Sequence, residues 1–168
     1  MRIAILLVLL CVGCATHPLT SESVAKKTIR TTDGYRKSFE IVGPLSIVPI
    51  PASQEGLSAK TFLRAGGEIG GPVSWYDIVV VLNETDWVLP KEAVDRAGQR
   101  FEVHQGADRS ETTKLVTDQL WIDLDRDYLN AAATRGLNFR ISGEFRNQVV
   151  IVSPEYVRGF LLSVDSGK

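Results

Sequence analysis

Residues Trp75 to Leu82, with the sequence WYDIVVVL, form the longest β-rich segment of this 168-residue chain. Aromatic and β-branched side chains favour strands, and a run that is apolar at nearly every position is typical of a strand covered on both faces. The run Val149 to Val152 (VVIV) has the same character. Both segments are therefore predicted to be central strands of the fold.

Alternation of apolar and polar side chains predicts further strands on either side of these runs. Short segments near Phe39 and from Leu45 to Ile50 add two more, and the prolines beside the second favour an edge or kinked position. The alternating apolar positions are Phe101 and Val103, then Leu120, Ile122 and Leu124, then Leu137, Phe139 and Ile141.

Three segments that follow strand-like runs carry helix caps. A fourth helix, over Leu57 to Arg64 with Ser58 as its cap, is an alternative for that part of the chain. The three are residues 88–98, with Pro90 in the first turn and Gly98 after the last, residues 125–136, with Asp125 as N-cap and Gly136 at the end, and residues 153–164, with Ser153 as N-cap before Pro154.

Strands outnumber helices in this pattern, and the helices are short. The sequence therefore predicts a mainly β, α+β fold, which is either a β-sandwich or a twisted mixed sheet decorated by three or four short helices.

The composition excludes several classes of protein. With 19 Lys and Arg against 20 Asp and Glu, the net charge is −1, and this balance gives no indication of a nucleic-acid partner. A chain that is 44% hydrophobic and 23% charged is typical of a globular domain. Its only cysteines, Cys11 and Cys14, are too few for a disulfide framework or a cysteine-type zinc site. No cofactor and no metal ion are predicted.

The N-terminus has the pattern of an export signal. Arg2 precedes the apolar run Ile3 to Val12, which is half the roughly 20 residues that a membrane-spanning helix needs. The run ends in Gly13, directly before Cys14. With a small residue immediately before a cysteine, the segment Cys11-Val12-Gly13-Cys14 resembles the lipobox of bacterial lipoprotein signal peptides, although Cys11 stands where that family usually has Leu.

The resemblance divides the chain into a signal peptide over 1–13, a lipidated Cys14 with a polar tether over 14–37, and one β-rich domain over 38–168. It implies that Cys14 carries palmitate and other acyl chains, which together anchor a protein stably. Ala15 follows the cysteine, where Asp would imply retention in the inner membrane, so the expected location is the outer membrane, facing the periplasm or the cell surface. The alternative is a cleaved secretory peptide with an incidental cysteine.

Two groups of residues are candidates for catalysis or metal binding. His104 is the only histidine in the predicted domain and would have to serve any histidine-based mechanism, or bind a metal with Asp108. Asp123, Asp125 and Asp127 alternate like the start of a calcium loop, but the glycine and the glutamate of such a loop are missing. An exposed histidine, a solvent-facing Asp123, a capping Asp125 and an Asp127 in the first helical turn explain these residues without chemistry.

Other residues are candidates for binding. The loop predicted over Gly66 to Gly71 (GGEIGG) lacks the spacing of a phosphate loop, so its tip at Gly70 and Gly71 is a candidate contact. Among Trp75, Trp87 and Trp121, the last is out of phase with the apolar positions around it. Trp121 should therefore point away from the core, toward a partner or a second buried layer.

The sequence thus predicts a non-catalytic lipoprotein that serves as an accessory, assembly or interaction subunit of an envelope complex. It would bind the membrane through its lipid and an envelope protein through its domain. The alternatives are a glycan-binding or small-molecule-binding lipoprotein, which would expose tryptophans in a concave site, and a periplasmic hydrolase that uses His104 or the three aspartates.

Overall fold

The computed structural model describes residues 19–48, 59–84, 90–109, 116–144 and 147–167. Within these ranges the chain forms three helices and eleven strands. The helices are α1 (Ser21–Lys27), α2 (Arg126–Arg135) and α3 (Pro154–Asp165). The strands are β1 (Ile29–Asp33), β2 (Ser38–Val42), β3 (Ser46–Val48), β4 (Ala59–Glu68), β5 (Trp75–Glu84), β6 (Pro90–Asp95), β7 (Arg100–Phe101), β8 (Val103–Arg109), β9 (Val116–Leu124), β10 (Leu137–Gly143) and β11 (Asn147–Val152).

The strands form two sheets in which every pairing is antiparallel. The larger sheet has the order β1-β2-β4-β5-β9-β8, and β3 pairs with β4. The smaller sheet has the order β11-β10-β6-β7. The chain passes from β7 in one sheet to β8 in the other through the single residue Glu102. The expected class, mainly β with short helices, is confirmed.

One hydrophobic core joins the inner faces of both sheets with α2 and α3. The predicted central strand at Trp75 to Leu82 is confirmed as β5, whose residues Asp77 to Val80 are buried on both faces. The alternating segments form β9 and β10, as predicted, with their apolar side chains turned inward. Fully buried side chains of the core include Ile41, Leu63, Ile78, Leu120, Ile122, Leu137, Phe139, Ile141 and Phe160.

Two of the predicted helices begin where their N-caps indicate, and the first of them also ends at its predicted glycine. The Asp125 side chain accepts a hydrogen bond from the backbone N–H of Tyr128, and Gly136 ends α2 with a φ of 78°. Ser153 caps α3 in the same way by accepting from the N–H of Tyr156. One side of α3 is buried, with Tyr156, Val157, Phe160, Leu161 and Val164 turned toward the core. The Tyr156 hydroxyl donates to the carbonyl of Pro44 at 2.5 Å.

The helix predicted over 88–98 is wrong where the structure describes it, because residues Pro90–Asp95 form β6. Ala93 and Asp95 are buried and alternate with half-buried Glu92 and Val94, while Ala97 is exposed in a turn. Gly98, with a φ of 85°, belongs to that turn instead of ending a helix. Pairing with β10 on one side and β7 on the other outweighs the helical preference of the local sequence.

The alternative helix over Leu57 to Arg64 is also wrong from residue 59 onward, since Ala59–Glu68 is strand β4; Leu57 and Ser58 lie outside the described residues. The loop expected over Gly66 to Gly71 is shorter than predicted, because Gly66 and Gly67 lie in β4. A side chain at Gly66 would overlap the ring of Trp75, so this glycine is needed for close packing within the sheet.

The run Val149 to Val152 forms a strand, β11, but the prediction of a central position is wrong. β11 is an edge strand of the smaller sheet, and its burial alternates, with Val150 and Val152 buried and Ile151 exposed. A short apolar run therefore occurs here on a half-covered strand.

The polar tether expected over 14–37 contains regular structure from residue 21 onward. Helix α1 packs against α3, and its Val24 is completely buried. The contact is close, since a side chain at Gly159 of α3 would overlap the backbone oxygen of Ser21. After α1, strand β1 pairs with β2 along its whole length. Val24 is the buried residue of α1, and the rest of the helix is mostly polar, so the composition of this segment did not indicate a packed helix.

Candidate interaction surface on the larger sheet

The face of the larger sheet turned away from the core is called the outer face here, and it carries the candidate residues. Phe62, Val79, Trp121 and His104 stand side by side on the neighbouring strands β4, β5, β9 and β8. Because successive side chains of a strand point to opposite faces, buried Leu120 and Ile122 place Trp121 on the outer face. The predicted direction of Trp121, away from the core, is confirmed.

Trp121 is only partly exposed because its neighbours pack against it. Its ring stacks on the imidazole of His104, with the ring centres 5.7 Å apart and the planes 24° from parallel. Val79, next to it on β5, is buried although it lies on the outer face. Trp121, His104 and Val79 therefore form an adjoining patch on this part of the sheet.

His104 and Asp123 form a pair at the edge of this patch. Nε2 of His104 lies 3.1 Å from Oδ2 of Asp123, and the two side chains are 33% and 74% exposed. A histidine held by a carboxylate is part of many hydrolytic sites, which also need a nucleophile beside the histidine. In the described part of the chain, the contacts of His104 are with Asp123 and Trp121, and neither supplies a hydroxyl or thiol.

A second charged pair crosses from β4 to β5. Arg64 donates from Nε and Nη2 to the two carboxylate oxygens of Asp77, at 2.9 and 2.6 Å. Burial raises the pKa of the Asp77 carboxyl above its ordinary value, and the hydrogen bonds from Arg64 act in the opposite direction. Nη1 of Arg64 also lies 3.4 Å from Oε1 of Glu40 on β2. The guanidinium of Arg64 on β4 therefore interacts with side chains of both neighbouring strands, β2 and β5.

Trp75 lies at the start of β5 and is 40% exposed. Its ring covers Gly66, and the guanidinium of Arg64 lies 5.8 Å from the ring centre. Four residues along a strand span roughly 13 Å, so Trp75 and Trp121 occupy different parts of the same face. Between them lie the carboxylates of Asp77 and Asp123, which occupy paired positions on β5 and β9.

Gly70 and Gly71 lie in the turn that joins β4 to β5. Gly70 has a φ of 84°, and the N–H of Gly71 donates to the carbonyl of Glu68. The neighbouring Ile69 is exposed, as is Tyr35 in the turn between β1 and β2. These turns lie at the end of the sheet near Trp75, so the structure separates Gly70 and Gly71 from Trp121.

The three alternating aspartates do not converge. Asp123 is on the outer face, Asp125 caps α2, and Asp127 lies in the first turn of that helix, which is the arrangement expected without a calcium site. Within the described ranges, no group of three or more His, Cys, Asp or Glu side chains is placed to hold a metal ion. The side chain of Asp108 is not described.

Sequence reasoning missed Arg64, Asp77 and Asp95. The first two become a pair only through the register of β4 and β5, which no local pattern encodes. Asp95 has a local signal, since an aspartate three residues before Gly98 is typical of a turn in which the carboxylate accepts backbone N–H groups. Its Oδ1 does so from Ala97 and Gln99.

Cys14, the signal segment and Trp87 lie outside the described residues. Comparisons with protein-family models, curated proteins and solved structures give no match for this chain. In the described ranges, none of the helices combines the length and the apolar character needed to cross a membrane. The class of this protein is established by its strands and helices alone: it is a mainly β, α+β domain with two antiparallel sheets.

Proposed function

We propose that this chain is an outer-membrane lipoprotein without catalytic activity, which serves as an accessory or assembly subunit of an envelope complex. The observation that supports it best is Trp121, a rigid aromatic side chain on a sheet face that the core does not use. Tryptophan is enriched among the residues that dominate binding energy at protein interfaces.

The charges on the outer face suggest the chemistry of the partner. Among the described strand residues beside the two tryptophans, Glu40, Glu68, Asp77 and Asp123 carry carboxylates, and Lys60 and Arg64 carry the positive charges. Asp123 is largely exposed and is the carboxylate best placed for a new contact. The proposed partner is therefore an envelope protein that presents a segment with Lys or Arg to this face.

The anchor is proposed from the lipobox-like segment before Cys14. Palmitate labelling of growing cells should mark the wild-type protein and leave Cys14→Ala unlabelled, because the acylated sulfur is lost. Cys11→Ala is the matched control and should be labelled like the wild type, since Cys11 leaves with the signal peptide. Equal labelling of the wild type and Cys14→Ala would contradict the anchor.

The contact surface is tested by crosslinking from the outer face. A photoreactive amino acid in place of Gln119, which is exposed on β9 two residues from Trp121, should crosslink a partner peptide that contains Lys or Arg. In that background, Trp121→Ala should reduce the yield at least about tenfold, as expected when a central aromatic contact is lost.

Leu162→Ala, which removes an exposed apolar side chain from α3, should leave the crosslinking yield unchanged. Equal yields with and without Trp121, or a loss of the same size in Leu162→Ala, would contradict the proposed surface.

A glycan is the second candidate ligand, favoured by the exposed ring of Trp75 beside the carboxylates of the outer face. Sugars stack on such rings and donate hydroxyl hydrogen bonds to carboxylates. Retention of the protein on isolated cell-wall glycan, lost in Trp75→Ala and kept in Trp121→Ala, would favour this candidate over the protein partner.

A further inference from the structure

A cleft with a volume of 410 Å³ lies where β6 ends, α2 ends and α3 begins. It is separate from the outer face of the larger sheet. Its volume is in the range of sites that hold small molecules. Two arginines, Arg96 and Arg135, line it together with apolar side chains that include Leu137, Ile151 and Pro154.

The guanidinium of Arg96 is oriented by the side chain of Asn138. With its amide oxygen turned toward Arg96, the Asn138 side chain accepts from Nε and Nη2 at 3.0 and 3.1 Å. Among the described residues, no carboxylate forms an ion pair with Arg96. A neutral acceptor thus orients the guanidinium, and within the described part of the chain its charge has no ionic partner.

Arg135 is similarly positioned by an aromatic ring. Its guanidinium lies 5.2 Å from the ring centre of Tyr128 and 4.0 Å from Oδ2 of Asp95. That carboxylate is occupied by other donors, namely the N–H groups of Ala97 and Gln99 and the hydroxyl of Tyr128. The cleft therefore has two guanidiniums and one buried carboxylate whose oxygens are already hydrogen-bonded.

From this arrangement we infer that the cleft binds a small organic molecule with one carboxylate and an apolar body. Arg96 has no ionic partner among the described residues, and a single guanidinium can donate paired hydrogen bonds to one carboxylate. Arg135 already has Asp95 as its ionic partner, so the two arginines and Asp95 leave about one positive charge in the cleft. The negative charge of Asp95 disfavours a dianion such as phosphate. Ile151, which is exposed on edge strand β11, and Pro154 give the apolar body a surface to cover.

Benzoate is a suitable probe because it has one carboxylate on a flat apolar ring. Titration of the full chain in detergent micelles, followed by amide NMR shifts at constant ionic strength, should saturate with a dissociation constant of about 1 mM or tighter. The shifts should be largest near Arg96 and Gly136. Benzamide, which has the same shape without the charge, should bind at least about tenfold more weakly, and so should phosphate.

Arg96→Gln should weaken benzoate binding about tenfold while the spectrum stays that of a folded protein. The matched control is Arg140→Gln, which removes an exposed arginine from β10 outside the cleft and should leave the affinity unchanged. The inference is overturned by shifts that do not saturate, by equal binding of benzamide, by tighter binding of phosphate, or by equal losses in the two variants.

Discussion

Replacing Asp95 with Asn is expected to lower the free energy of unfolding at pH 7 by about 3 kcal/mol. The Asp95 side chain is only 5% exposed and accepts three hydrogen bonds, two of which fix the turn between β6 and β7. Hydrogen bonds to a charged group contribute about 1.5–3 kcal/mol each, and asparagine also presents an amide donor to groups that are themselves donors. Urea unfolding of both proteins measures the difference.

The loss should depend on pH in a definite direction. Burial opposes the charge of Asp95, yet the hydrogen bonds from Gln99, Tyr128 and Ala97 lower its pKa below the ordinary 3.8. A depressed pKa in the folded state stabilises the protein above pH 3.8, and this contribution is lost as the pH falls through the folded-state pKa. The difference between the wild type and Asp95→Asn should therefore shrink below about pH 3.8.

Asp123→Asn is the control for this experiment. Asp123 is largely exposed, with His104 as its partner, so its loss should change the free energy of unfolding by less than about 0.5 kcal/mol at pH 7. A difference for Asp95→Asn that is small at pH 7, or one that grows as the pH falls, would show that the ionised carboxylate does not hold the turn.

Replacing Gly159 with Val is expected to separate α1 from α3 and to lower the free energy of unfolding by about 3 kcal/mol. A Cβ at this position would overlap the backbone oxygen of Ser21 and approach Cβ of Val24 to 2.6 Å. Backbone cannot move aside as a flexible side chain does, so α1 must shift and expose Val24. Hydrogen exchange of residues 21–27 should become much faster, and urea unfolding gives the energy.

Leu162→Val is the matched control, since it places the same β-branched residue in α3 at an exposed position. It should cost less than about 1 kcal/mol and leave hydrogen exchange in α1 unchanged. Unchanged protection of α1 in Gly159→Val would mean that the helices are not packed together in solution.

Much of the fold was predictable because its signals are local. The run from Trp75 gave a central strand, and Asp125 and Ser153 each place a side-chain oxygen where the first N–H groups of a helix need an acceptor. The same reasoning from caps wrongly predicted a helix at Pro90. Proline also occurs at the start of a strand, and glycine also occurs in the turn that follows one. Whether Pro90–Asp95 pairs with β10 depends on residues almost fifty positions later.

The candidate surface was predictable only in part. Trp121 alternates with the apolar residues Leu120 and Ile122 within the nine residues of β9. The sequence alone therefore indicates to which face of the strand its side chain points. The pairing of Arg64 with Asp77 and the stacking of His104 on Trp121 depend on strand register, which the sequence does not state. The cleft beside Arg96 could not be predicted for the same reason. The residues that line it come from β6, α2, β10, β11 and α3 and from adjoining turns.

The packing of α1 on α3 limits how far the folded domain can stand from a membrane. With the lipid on Cys14, as proposed, seven residue steps lead to the first residue of α1, and a fully extended chain covers at most about 3.6 Å per step. The segment between Cys14 and α1 can then span at most about 25 Å, which is less than the thickness of a bilayer's hydrocarbon core. Helix α1 would therefore lie within this distance of the acylated residue, and the folded domain would stay next to the membrane surface.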